Sequence, residues 1–300
     1  MKPVLYVVRA LPEARWERLA ERFEIRGNGK RPAPDWPAEA AGATALAVTY
    51  LDAVDGPLLA RLPAVRIAAS YGVGVNHIDL AACRLRGVVV TNTPGVLANA
   101  TADLTMALLL AAARRVTEGD RTIRRGGWTE NDPTFMLGTE VTGKTLGIVG
   151  MGQIGQAVAR RARGFELRLL YTSPSEKALP DARRVPLEDL LRESDFVALC
   201  CPLNAETRDL VNRDRLRLMR PGAVLVNTSR GPVVDDEALA EALREGRLAA
   251  AGLDVFRDEP RVPEVYRSLE NVVLTPHLGS GSRETRAAMA RLVTDELERF

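Results

Sequence analysis

Histidine is almost missing from this 300-residue chain, which has two, His77 and His277. Cysteine is nearly as scarce, at three residues. Neither type falls at a ligand spacing, which argues against a bound metal. The odd cysteine count, with Cys200 and Cys201 adjacent in an apolar run and Cys83 alone, gives no disulfide framework and reads as reduced thiols in a cytoplasmic protein. A dominant charge is also lacking, because 41 basic and 39 acidic residues leave a formal +2. With no basic stripe interleaved with aromatics, nucleic acid is a poor partner. Long apolar runs are absent too. The most apolar helical stretch, Leu104 to Ala113, is interrupted by Thr105 and is too short to span a bilayer. The opening MKPVLYVVRA carries no cleavage pattern and reads as a first strand, not a signal peptide. There is no low-complexity tract or repeat, and glycine and proline are scattered as turn punctuation.

What is present is an alternation of short apolar runs and amphipathic helical patterns. Val4–Val8, Ala45–Val48, Ile67–Ala69 and Val88–Thr91 read as a first series of strands. Leu146–Val149, Leu167–Tyr171, Phe196–Cys200, Ala223–Asn227, Ala249–Asp254 and Val272–Leu274 read as a second. Helical patterns such as Ala14–Phe23, Ile154–Arg163 and Asp236–Glu245 lie between them. Continuous apolar strands separated by helices predict parallel sheets covered on both faces. The expected fold is α/β, with two Rossmann-like or flavodoxin-like lobes. Residues 1–97, completed by 283–300, form one lobe, and 98–282 form the other, inserted into the first. The helix Thr101 to Val116 is apolar nearly all round and should be buried. Residues 126–143 show little periodicity and read as an exposed excursion.

The stretch LGIVGMGQIGQAVARRA holds Gly150-x-Gly152-x-x-Gly155 between an apolar strand and an amphipathic helix. That context turns a weak motif into a dinucleotide fingerprint. Gly150 permits the tight turn, Gly152 admits a pyrophosphate at the helix N-terminus, and Gly155 lets the helix lie close on the strand. The next strand should end in an acid if NAD is preferred. It ends instead in Thr172-Ser173-Pro174-Ser175-Glu176-Lys177, where hydroxyls and Lys177 tolerate a 2′-phosphate. Glu176 and the lack of an arginine in this stretch weigh against it. NADP is favoured over NAD.

His277, in LTPHLGSGS, follows a buried strand, whereas His77 reads as a solvated or capping residue at a helix start. Arg230 in NTSRG, and Asp254 and Glu259 in LDVFRDEP, follow two other strands of the same series. Strand ends are where such sheets build sites. An arginine fork holds a carboxylate by two points, and an acid beside a histidine makes it a usable proton donor.

These residues carry a resemblance. With YGVGVNHID, NTPGVLANATAD, LVNTSRGPVVD and GLDVFRDEP, the chain resembles the D-isomer-specific 2-hydroxyacid dehydrogenases, especially their glyoxylate/hydroxypyruvate reductase branch. The resemblance implies an oxidoreductase that reduces a small 2-oxo acid with NADPH or NADH. It implies that Arg230 holds the substrate, that His277 exchanges the proton of the C2 oxygen and that Glu259 pairs with His277. The first lobe would bind substrate through the backbone of Val73 and Gly74, with Leu51 and Val73 shaping the pocket. The cofactor would meet Thr101, Gly150, Gly152, Gln153, Ile154, Gly155, Thr172, Ser173, Lys177, Cys201, Pro202, Thr207, Thr228, Ser229, Asp254, His277 and Gly279. Many relatives carry arginine where Gln153 stands, which removes one pyrophosphate contact, and they usually run on past the position of Phe300.

Two other readings stay open at this point. One is another dehydrogenase of the same scaffold, acting on phosphoglycerate, phosphite or formate. The other is a dinucleotide-sensing corepressor that keeps the same chemical residues. In either case a symmetric homodimer is expected, with the 126–143 excursion, rich in Trp128, Phe135, Met136 and Leu137, at its interface. Trp128 either reaches the partner's pocket or packs beneath its own loop.

Overall fold

The computed structural model describes residues 1–27, 29, 32 and 35–300. The chain divides into two compact units, Met1–Leu97 with Ser280–Phe300, and Ala98–Gly279. The return into the first unit thus falls slightly before the expected residue 283. Among the described residues, no helix is long and apolar enough to cross a membrane.

In the first unit the chain runs β1 (Val4–Val7), α1 (Trp16–Arg22), β2 (Glu24–Gly27), α2 (Trp36–Glu39), β3 (Ala43–Thr49), α3 (Gly56–Arg61), β4 (Ile67–Tyr71), α4 (Leu80–Leu85) and β5 (Val89–Thr91). The five strands are all parallel, in the order β2-β1-β3-β4-β5. β3 and β4 are mostly apolar and buried almost without a break, as central parallel strands must be when both faces are covered. β2, with the sequence EIRG, is a polar edge strand that apolar patterning did not single out. Asp79 accepts from Ala82 N and caps α4, so the cap expected of His77 belongs to a different residue.

The second unit runs α5 (Ala98–Ala113), α6 (Val116–Arg124), β6 (Thr145–Val149), α7 (Gln153–Ala162), β7 (Arg168–Thr172), β8 (Ala182–Arg184), α8 (Leu187–Glu193), β9 (Phe196–Leu199), α9 (Arg213–Leu218), β10 (Ala223–Asn227), α10 (Asp236–Arg244), β11 (Leu248–Leu253), α11 (Glu264–Arg267) and β12 (Val272–Leu274). Its seven parallel strands are ordered β12-β11-β10-β9-β6-β7-β8. The chain winds outward from β6 to β8, then restarts at β9 on the other side. This reversal between β6 and β9 opens a crevice at the carboxyl ends of the strands. The chain then re-enters the first unit as α12 (Arg283–Arg299), whose first turn is capped by the Ser282 hydroxyl accepting from Thr285 N at 3.2 Å. There the Tyr71 hydroxyl donates to the Arg286 carbonyl at 3.0 Å, docking α12 against β4.

α5 is the buried Ala/Leu-rich helix expected from the sequence, but it stops at Ala113 and does not reach Val116. Arg115 adopts a left-handed backbone at φ 55° and the chain restarts as α6, with the Arg115 guanidinium forked onto Glu118. Leu108 and Leu109 of α5 are fully buried, and the helix packs on β10, β11 and α7. A polar tie sets its position: the Thr105 hydroxyl donates to Thr101 O at 2.8 Å and lies 2.8 Å from the hydroxyl of Thr228, just past β10. Residues 126–143 form no helix or strand. Trp128 is 57% exposed and Leu137 68%, so Trp128 does not pack beneath its own loop within a single chain.

Thr105→Val keeps the volume but leaves the Thr228 hydroxyl without this partner in a buried setting. Such an orphaned group costs about 1–3 kcal/mol. Chemical denaturation should show a loss of that size, and a change within experimental error would mean that the threonine pair does not hold α5.

Candidate active site

The glycine fingerprint forms the floor of a groove of about 560 Å³ at the carboxyl edge of the second sheet. Gly150 sits at φ 97°, and a Cβ there would lie 2.6 Å from Cys201 N. A Cβ on Gly155 would lie 2.1 Å from Gly150 O, so α7 lies directly on the turn. A Cβ on Gly152, by contrast, would meet nothing within 4 Å, so the open space of the groove lies over this glycine. A turn packed behind and open in front, at the start of a ten-residue helix, fits a pyrophosphate. Thr172, Ser173, Pro174, Ser175 and Lys177 line one wall, and Cys201, Pro202 and Thr207 the other, with Leu187 and Leu210 adding apolar surface. Gln153 is exposed at the first position of α7, and Ile154 is half-buried behind it.

The opposite wall is a self-braced loop. The Thr207 hydroxyl donates to Pro202 O at 2.7 Å and accepts from Asn204 N at 2.8 Å, while the Asn204 side chain accepts from the amides of Glu206 and Thr207. Thr207 therefore shapes the loop as well as lining the groove. Burial pushes the Cys200 thiol up to about 12 and the Cys201 thiol up to about 11, so both remain neutral and unreactive.

The chemical residues stand further along the same edge, after β10, β11 and β12. His277 Nδ1 lies 2.6 Å from Glu259 Oε2, with the side chains 19% and 15% exposed. The other Glu259 oxygen accepts from Phe256 N at 2.9 Å, so the carboxylate cannot swing away from the ring. His277 has a left-handed backbone at φ 52°, unusual for a residue with a side chain. Asp254 imposes it. Its carbonyl accepts from His277 N at 2.9 Å, and its carboxylate accepts from Leu278 N at 2.7 Å, Gly279 N at 2.8 Å and the Thr275 hydroxyl at 2.6 Å. Asp254 is 1% exposed, and burial raises its pKa despite the donors and the His277 charge that pull the other way. It thus builds the turn that presents the histidine.

Arg230 follows β10 on a loop held by Asn227. The Asn227 side chain accepts from Ser229 N and its hydroxyl and donates to Arg230 O at 3.0 Å, and Arg230 Nη1 donates to Ser229 O at 2.6 Å. The next residue, Gly231, has no room for a side chain, because a Cβ would fall 2.0 Å from Phe256 C. Backbone contact at this glycine joins the arginine loop to the glutamate loop. Thr101, Thr228 and Ser229 are buried, and a Cβ at Gly279 would lie 3.3 Å from Asp254 Oδ2 and 3.4 Å from Thr101 Cγ2, which puts these three residues side by side.

Leu51, Val73 and Gly74 belong to the first unit, on the loops that follow β3 and β4. Val73 is 36% exposed. Asn92 Nδ2 donates to Val73 O at 2.8 Å and Thr93 N donates to Gly72 O at 3.0 Å, while Ser70 Oγ and His77 Nε2 lie 3.1 Å apart across the base of the loop. His77 is half-buried and bonded, not solvated as expected. Because a trans peptide points its C=O and N–H in opposite directions, Asn92 also fixes the aim of the Gly74 amide.

Sequence reasoning missed one charged residue that braces the groove's wall. Arg184, on the three-residue β8, donates to the Ser173 and Pro174 carbonyls at 3.0–3.2 Å. The 172–177 stretch itself holds no arginine, as the sequence shows, but Arg184 reaches its carbonyls from β8. A short polar edge strand such as ARR gives no apolar period to find it by.

A family model described as "D-isomer specific 2-hydroxyacid dehydrogenase, NAD binding domain" matches residues 106–279. The chain is 46% identical over 311 aligned residues to the glyoxylate reductase of Pyrococcus furiosus, covering all of this chain and 93% of that protein. Among solved structures, a protein from Thermus thermophilus is 47% identical with a TM-score of 0.92, over 98% of this chain and 95% of that one. An NADPH-dependent glyoxylate/hydroxypyruvate reductase from Sinorhizobium meliloti, solved in complex with NADP and malonate, is 35% identical with a TM-score of 0.90, over 99% of this chain and 93% of that one.

Proposed function

Because the chain belongs to the D-isomer-specific 2-hydroxyacid dehydrogenase family, we propose that it reduces a small 2-oxo acid, glyoxylate or hydroxypyruvate, to the 2-hydroxy acid with NADPH in preference to NADH. The observation that carries this reading is the His277–Glu259 pair, 2.6 Å apart, at the same sheet edge as the glycine-rich groove.

In this reading the bound nicotinamide supplies the hydride that reaches C2 of the substrate. Gly150, Gly152 and the first turn of α7, with Gln153 and Ile154 beside them, would hold the dinucleotide, and Thr101, Thr228, Asp254 and Gly279 would serve its nicotinamide end. Glu259 holds Nδ1 of His277, so the proton exchanged with the substrate oxygen is the one on Nε2. Arg230 takes the substrate carboxylate and stabilises charge growing on the carbonyl oxygen. In the first unit, Val73 and Gly74 would offer amides to a substrate carboxylate, and Leu51 and Val73 would act as the side-chain filter. The assignment of the first unit as the substrate-binding domain belongs to this proposal. The neutral, unpaired cysteines suit a cytoplasmic location.

His277→Ala should lower kcat by roughly 10²–10⁴-fold, the usual worth of a general acid, while cofactor binding measured by fluorescence persists. Near-normal turnover would remove His277 from the mechanism.

Cofactor preference rests on Thr172, where an acid would repel a 2′-phosphate, and on the nearby cations Lys177 and Arg184. The wild-type protein should show a higher kcat/KM with NADPH than with NADH, and Thr172→Asp should shift that ratio toward NADH. A wild type faster with NADH contradicts the reading.

A symmetric homodimer is also part of the proposal. Val116, Ile123, Trp128, Phe135 and Leu137 are all exposed on α6 and the 126–143 excursion, an apolar concentration that a partner would cover. Light scattering at micromolar concentration should give twice the mass of the chain, and a monomer would refute the dimer.

A further inference from the structure

The 172–177 loop is poor in positive charge by its own sequence, yet its conformation is set from outside it. We infer that Arg184 is the positioning residue that gives this loop its selectivity for a 2′-phosphate, an inference that rests on the NADPH reading above.

β8 pairs in parallel with β7, which places Arg184 across from Tyr171. From there Nε and Nη2 reach Ser173 O at 3.2 and 3.0 Å, and Nη2 also reaches Pro174 O at 3.0 Å. All three bonds go to neutral carbonyls, and among the described residues no carboxylate forms an ion pair with this guanidinium. Its charge therefore stays unneutralised beside the loop, on an exposed side chain.

The consequence for an anion is specific. A phosphate needs donors and is repelled by carbonyl oxygens. Arg184 draws two carbonyls toward itself. Because the Pro174–Ser175 peptide is trans, turning its oxygen toward Arg184 turns the Ser175 amide the other way. The far end of the loop is tied as well: Lys177 N donates to the Tyr171 hydroxyl at 3.0 Å, and the Lys177 ammonium donates to Ser175 Oγ at 2.8 Å. Ser173, Ser175 and Lys177 line the groove, and since the Ser173 hydroxyl is turned inward onto Ser175 O, the donors the loop offers are the Ser175 hydroxyl and amide and the Lys177 ammonium. Glu176 is exposed on the same loop and opposes the effect, which makes the orientation of the remaining groups more important. A purely structural role for Arg184, stapling an edge strand, would affect every adenine nucleotide alike.

That difference is measurable without turnover. Calorimetry with adenosine 2′,5′-bisphosphate and with 5′-AMP gives, for each variant, the affinity advantage conferred by the 2′-phosphate. Wild type should show a clear advantage, and Arg184→Ala should cut it about tenfold, in line with the loss of charge-assisted hydrogen bonds. Retained 5′-AMP binding reports an intact fold. Arg184→Lys keeps the charge but cannot bridge two carbonyls, and should lose most of the advantage too. Full recovery by lysine, or an alanine variant within twofold of wild type, overturns the positioning role while leaving the cofactor reading intact. A wild type with no advantage for the bisphosphate overturns both.

Discussion

Parallel pairing governs this molecule. All seven strands of the second sheet run the same way, so every loop that leaves a strand's carboxyl end emerges at one edge. The winding reverses between β6 and β9, and helices cannot close over that edge at the reversal. The glycine turn after β6, the hydroxyl-rich loop after β7, and the loops after β10, β11 and β12 thus share one rim by topology. Burial of the strands on both faces, in clusters such as Leu146, Ile148, Phe196 and Val226 with α5 and α7, keeps that rim rigid.

On the rim, Arg230, Glu259 and His277, the side chains proposed for the chemistry, are held by neighbouring groups. Asp254 gives its carbonyl and both carboxylate oxygens to the turn at Thr275–Gly279, and that turn keeps His277 in a backbone conformation it would not adopt alone. Glu259 is anchored by Phe256 N before it meets the imidazole. Asn227 organises the arginine loop, and Gly231 lets that loop touch the Phe256 backbone. In the proposed reaction these groups would already be in position before substrate arrives, so little reorganisation would be needed.

Much of this was legible in the residues. The central strand Ala223–Asn227 and the edge strand Val272–Leu274 matched their expected bounds end to end, because both are built on short runs of apolar residues. The glycine fingerprint and the residues Arg230, Glu259 and His277 stood out through spacing and position after strands. What escaped was carried by short polar edges and by tertiary bonds. β2 and β8 have only one covered edge and no apolar period, so Arg184 was invisible as a neighbour of Ser173. The break at Arg115 interrupts a pattern that reads as one continuous helix. His77 read as a solvated or capping residue because nothing in its neighbourhood of sequence announces the bond to Ser70.

The central claim is that this rim directs a hydride to C2 of a 2-oxo acid while His277 delivers the proton. Tracing the hydrogen tests it most directly. The protein would be incubated with NADPH deuterated at C4 on the transferred face and with hydroxypyruvate, and the product analysed by mass spectrometry and chiral chromatography. The account predicts D-glycerate carrying deuterium at C2. Product of the opposite hand, deuterium absent from C2, or no consumption of NADPH at all would contradict it.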